Sequence, residues 1–92
     1  MPGVYTVTQM NSYIKNMFRQ DFVLSRISVK GEVSNCKYHT SGHIYFSLKD
    51  GQGVMSAIMF AGSAKNLEFR LENGMQVIVS GRIDVYERDG KY

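Results

Sequence analysis

Val33-Ser34-Asn35-Cys36-Lys37-Tyr38-His39-Thr40-Ser41-Gly42-His43-Ile44-Tyr45-Phe46-Ser47-Leu48-Lys49-Asp50 decides how the rest of the chain is read. It opens as the end of one strand, passes through a polar loop of cations and imidazoles, and leaves as a second strand. From Ile44 to Lys49 one parity is Ile44, Phe46 and Leu48; the other is Tyr45, Ser47 and Lys49. A period of two buries one face and leaves the other in solvent. The open face then carries an aromatic ring and a cation, which suits a polynucleotide better than small-molecule chemistry.

Upstream, residues 27–34 read as the first strand, with Ile27, Val29, Gly31 and Val33 inward and Ser28, Lys30, Glu32 and Ser34 outward. Gly31 interrupts a β-branched run and predicts a bulge or bend there. Earlier still, Met10, Tyr13, Ile14, Met17 and Phe18 follow the spacing of one apolar helical stripe, expected to pack as core. Thr6 or Thr8 is the expected N-cap. Phe22-Val23-Leu24 reads as a linker.

Downstream, Asp50-Gly51-Gln52-Gly53 predicts a tight, two-residue type of hairpin turn. The third strand, 54–60, is apolar on both parities. Met55, Ala57 and Met59 are assigned inward, and Val54, Ser56, Ile58 and Phe60 outward. A short helix is expected over 64–67 and a turn at Glu72-Asn73-Gly74. A long fourth strand, 76–87, follows with Val77, Val79, Gly81, Ile83 and Val85 inward. Val79-Ser80-Gly81-Arg82-Ile83 echoes Val29-Lys30-Gly31-Glu32-Val33, as two bent strands would. Asp89-Gly90 signals one more hairpin, so a fifth strand should begin near Tyr92.

The chain has 92 residues, 43% of them hydrophobic, room for one compact core. Its net charge of +3 is compatible with a polyanionic partner. The single cysteine, Cys36, cannot form an internal disulfide, which points to a reducing cytoplasm. No apolar run approaches the ~20 residues of a membrane span, so no membrane partner is expected.

A leading amphipathic helix, strands with two glycine positions, a short helix between strands three and four, and a fifth strand to come describe a mainly β, five-stranded Greek-key OB-fold barrel. Residues 1–24 form the helix and linker, and 27–92 the barrel, its fifth strand cut short. The whole is a single domain expected to be a fragment of a longer subunit, with an open edge for self-association. In such barrels strands two and three and the loops joining strands 1–2 and 4–5 bind oligonucleotides or oligosaccharides. Those regions supply Lys37, His39, Tyr45, Lys49, Ser56, Phe60, Arg88 and Lys91, with Lys30 and Arg82 on neighbouring strands. Tyr45 and Phe60 are the expected stacking platforms, and the cations the phosphate contacts.

Val7-Thr8-Gln9-Met10-Asn11, Gly31-Glu32-Val33-Ser34, Ser41 through Asp50, Ala57-Ile58-Met59-Phe60, and Gly74-Met75-Gln76-Val77 through Gly81-Arg82 resemble one family. It is the amino-terminal OB-fold domain of the large subunit of bacterial exodeoxyribonuclease VII. The Gly-His-x-Tyr-Phe-x-Leu-Lys-Asp run is the most specific part. The resemblance implies an exonuclease of large and small subunits that degrades single-stranded DNA into short oligonucleotides. It also implies a catalytic domain separate from these residues, so this domain would present the strand and carry no catalysis of its own.

Cys36, His39 and His43 have a ligand-like spacing but lack a fourth Cys or His, so no metal or other cofactor is expected. His43 is expected to fix its loop by hydrogen bonding. The carboxylates are scattered over turns and solvent faces, with Asp50 and Asp89 read as turn formers. The rival reading is an OB-fold that reads a tRNA anticodon or serves as a protein-interaction module, since one fold hosts many functions.

Overall fold

The computed structural model describes residues 3–92. The elements in order are α1 (Val7–Gln20), α2 (Phe22–Ser25), β1 (Ile27–Tyr38), β2 (Ile44–Lys49), β3 (Val54–Met59), α3 (Ala61–Ala64) and β4 (Gln76–Gly81). The strands form one sheet in the order β3-β2-β1-β4, and β2 runs antiparallel to both β1 and β3. The chain forms two compact units: residues 29–79 make one, and residues 3–28 with 80–92 make the other.

The unit of residues 29–79 holds the apolar core. Val33, fully buried, packs with Ile44, Phe46, Leu48 and Leu71, and Met55, Ala57, Met59, Val77 and Val79 close around them. Every inward assignment made from the parity of β2 and β3 is met, and Tyr45, Val54, Ser56, Ile58 and Phe60 lie exposed. Apolar side chains at alternate positions gather on one face because burying them removes their surface from water.

Several expectations are corrected here. The first strand runs four residues further than expected, to Tyr38, so Cys36, Lys37 and Tyr38 belong to a strand and the loop is only 39–43. The irregularity lies between Ser34 and Lys37, where Asn35 takes a positive φ of 49°, and not at Gly31. Asparagine tolerates that left-handed region better than most residues. Gly31 instead allows β1 and β2 to approach closely, since a Cβ there would sit 2.8 Å from Leu48 Cγ and 3.0 Å from the Lys49 carbonyl oxygen. Gly81 is exposed with open space around it, so the two echoing segments do not meet the same demand.

Asp50–Gly53 is a four-residue loop, not a two-residue turn. Lys49 pairs with Val54, and Asp50 Oδ1 accepts from the backbone N–H groups of Gln52 (2.9 Å) and Gly53 (2.8 Å). These bonds favour the ionised carboxylate and hold its pKa below the usual range. The short helix starts three residues earlier than expected, at Ala61 with Phe60 as N-cap. Gly74 closes the 72–74 turn with φ +91°.

In the other unit, Thr6 is the N-cap of α1. Its Oγ1 accepts from the Gln9 N–H at 3.0 Å, and its own N–H donates to Gln9 Oε1 at 2.8 Å, a reciprocal capping box. Asp21 ends α1 and caps α2, so the expected linker is a helical turn. The apolar stripe is not core: no residue of α1 is buried, and Tyr13 is 61% exposed. Periodicity establishes that a face exists, not that anything covers it. Within this unit α1 makes a ring contact, Phe18 with Tyr92 at 6.4 Å between centroids, and several polar ones. Ser12 and Lys15 hold the Glu87 carboxylate at 2.7 and 3.5 Å, and the Asn11 amide donates to the Glu87 carbonyl.

The fourth strand ends at Gly81, six residues short of expectation. From there the backbone turns elsewhere, and Ile83 N–H donates to the Leu24 carbonyl at 2.8 Å. Val85 is buried as expected. The Asp89-Gly90 hairpin is present, with Gly90 at φ +64° and a single antiparallel bridge between Tyr86 and Lys91. Among the described residues the sheet has four strands, so the fold is the expected mainly β one with one strand fewer.

Candidate nucleic-acid interface

The outward face of β2 and β3 is built by strict cross-strand register. Tyr45 lies opposite Ile58, Ser47 opposite Ser56, and Lys49 opposite Val54, while Lys37 on β1 is the partner of Tyr45 on the other side. Tyr45 is 43% exposed and Phe60 60% exposed. Neither ring points into the core.

Two histidines join them into one strip. The His39 ring meets Tyr45 edge-on at 5.9 Å between centroids; His43 meets Tyr45 at 6.4 Å and Phe60 at 5.4 Å, both near perpendicular. Edge-to-face contacts of this kind place a positive ring edge against a negative π-face. The strip is held by the loop it grows from. Ala61 N–H donates to His43 Nδ1 at 2.8 Å, which fixes that imidazole between β2 and the start of α3 and leaves its proton on Nε2. His39 Nδ1 accepts from the Ser41 backbone N–H at 3.1 Å and lies 2.8 Å from the Ser41 hydroxyl. Gly42 makes the loop possible: its φ is +94°, and a Cβ would lie 3.0 Å from the Ala61 Cβ.

The sequence assigns His43 only a loop-fixing role. Its membership of the strip could have been found there, because His43 and Tyr45 share strand parity. Ile58 is also outside the expected site, although it sits directly opposite Tyr45 on the outward face.

The structure brings Lys37, His39, Tyr45, Lys49, Ser56 and Phe60 onto β2, β3 and their flanking strand and loop. Lys49 is partly engaged by Glu32, its register partner, at 3.8 Å. Lys30 lies exposed on β1 in the same unit. Arg82, Arg88 and Lys91 belong to the other unit. There Arg82 lies 3.8 Å from Asp84, and Arg88 and Lys91 sit on the exposed Tyr86–Lys91 turn.

Cys36 is half-buried. Its thiol donates weakly to the Leu71 carbonyl at 3.5 Å, and burial pushes its pKa up. Among the described residues, no group of three or more His, Cys, Asp and Glu side chains is placed to hold a metal ion. No helix among them is long and apolar enough to cross a membrane.

Aromatic rings on a small antiparallel sheet, edged by cations, are what a nucleic-acid-binding module requires. The chain belongs to the OB-fold nucleic acid binding domain family, which it matches over residues 5–92. Over all 92 residues it is 67% identical to the exodeoxyribonuclease 7 large subunit of Lachnoclostridium phytofermentans, covering 23% of that protein. It is 55% identical over 87 residues, 95% of this chain, to the subunit of the same name from Clostridium botulinum, covering 22% of it. The large subunit from Ruminiclostridium cellulolyticum is 49% identical over 92 residues, 23% of its length. The chain thus spans less than a quarter of the curated relatives it matches.

Proposed function

We propose that this domain binds single-stranded DNA on the outward face of β2 and β3 and presents it to a catalytic domain of an exodeoxyribonuclease VII large subunit. That enzyme, with its small subunits, degrades the strand to short oligonucleotides. The observation that carries the reading is the continuous strip His39–Tyr45–His43–Phe60, solvent-facing and braced by the Ala61–His43 hydrogen bond. Unpaired bases expose π-faces that stack on such rings whatever their identity, whereas a duplex keeps those faces covered. High identity to exodeoxyribonuclease 7 large subunits supports the assignment to that enzyme.

The test is a fluorescence titration with labelled oligo-dT. Each stacked base contributes ~1–3 kcal/mol, so the Y45A/F60A double variant should bind at least about five-fold more weakly while keeping its circular dichroism spectrum. Unchanged affinity in the folded double variant would retire the strip as the binding surface.

A further inference from the structure

Beyond the aromatic strip, the unit of residues 29–79 contains a second arrangement of ring and cation. We infer that a cleft of about 290 Å³ lined by Tyr38, Ile44, Leu67, Glu68, Phe69 and Arg70 receives a single unpaired nucleobase, stacked on the Arg70 guanidinium. This rests on the single-strand reading above and adds to it a discrete base site.

Three observations converge on it. First, the platform is assembled in advance. The Tyr38 hydroxyl donates to the carbonyl of buried Leu71 at 2.8 Å, which fixes the ring, and the Arg70 guanidinium lies over that ring at 4.3 Å from its centroid. The guanidinium carbon rests against the tyrosine ring, yet the side chain remains 69% exposed. Flat arginine planes are a recurrent stacking surface for unpaired bases. Second, the charge of Arg70 is partly offset. Its Nε lies 3.9 Å from Glu72 Oε1, and Glu68 also lines the cleft. Two carboxylates make this a poor seat for a phosphate but leave the flat cationic face available to a π-system. Third, the polar Tyr38, Glu68 and Arg70 share the lining with apolar side chains, of which Phe69 is exposed and Ile44 is buried beneath. The cleft is shallow and open to solvent, and its volume lies near the lower limit of small-ligand pockets, ~300 Å³, room for one ring system.

The site is also connected to the first. Tyr38 ends β1, and the 39–43 loop that follows carries His39 and His43 of the strip, so a strand crossing that loop would meet both surfaces.

The experiment compares wild type, R70A, R70K and Y45A/F60A in titrations with labelled single-stranded oligonucleotides at several salt concentrations, with circular dichroism as the folding control. R70A should weaken binding at least about five-fold, the loss of one stacked base. R70K should be nearly as weak, because it keeps the charge and loses the plane. Both should keep the wild-type salt slope. Wild-type affinity in R70K, or a slope reduced in R70A by the ~0.7 expected for one lost phosphate contact on a single strand, would make Arg70 a phosphate contact and overturn the base site. Wild-type affinity in R70A overturns it too. If instead Y45A/F60A binds normally and both Arg70 variants fail, the strip is wrong and the cleft stands. If folded wild type binds no single strand, both readings fall together.

Discussion

Gly31 shows how a single residue is constrained by what lies beside it. A methyl group there would meet Leu48 Cγ at 2.8 Å and the Lys49 carbonyl at 3.0 Å, and the backbone of β2 cannot step aside as a long side chain could. Gly31→Ala is therefore expected to destabilise the domain by about 1–3 kcal/mol, the usual cost of overpacking. Urea unfolding should show a lower midpoint with an unchanged slope. Glu87 gives a prediction in pH. The Ser12 hydroxyl, with Lys15 beside it, holds this carboxyl below its ordinary range. A lowered folded pKa means the stabilisation is present above the unfolded value of about 4.3 and fades as pH falls through the folded value. E87Q should thus melt below wild type at neutral pH, and the two melting curves should converge as acid is added below about pH 4.

At the level of elements, α1 and β2 were legible for opposite reasons. Thr6 and Gln9 are three residues apart and need only each other to start the helix, so the capping box is written locally. Thr6→Ala should cost ~1 kcal/mol, read as lower helicity in far-ultraviolet circular dichroism and earlier melting, with Thr6→Ser close to wild type. For β2, strict alternation from Ile44 to Lys49 specified both faces and therefore the exposure of Tyr45. The bulge at Asn35, the end of β4 at Gly81 and the start of α3 at Ala61 were not legible. Each is set by a partner far along the chain: the register of β1 against β2, the Ile83–Leu24 hydrogen bond, and the Ala61–His43 hydrogen bond.

For the molecule as a whole, a net charge of +3 and a sheet face carrying Lys37 and Lys49 predict binding that weakens as salt rises. On a single strand the logarithmic slope should be about −0.7 for each phosphate neutralised, and Lys37→Gln should reduce it by about that amount. A flat response between low and moderate salt would remove the phosphate contacts. Poly-dT should also outcompete a structured RNA, the reverse of what a tRNA reader would show. Alternation and spacing alone determined that this chain is mainly β and that Tyr45 is turned to water, because those properties depend on neighbours two to four residues away. Only the tertiary structure decided that His43 also reaches Phe60, that Arg70 lies on Tyr38, and that no residue of the α1 stripe is buried. Contacts between residues well separated along the chain are set by packing and hydrogen bonding in three dimensions, and no local period carries them.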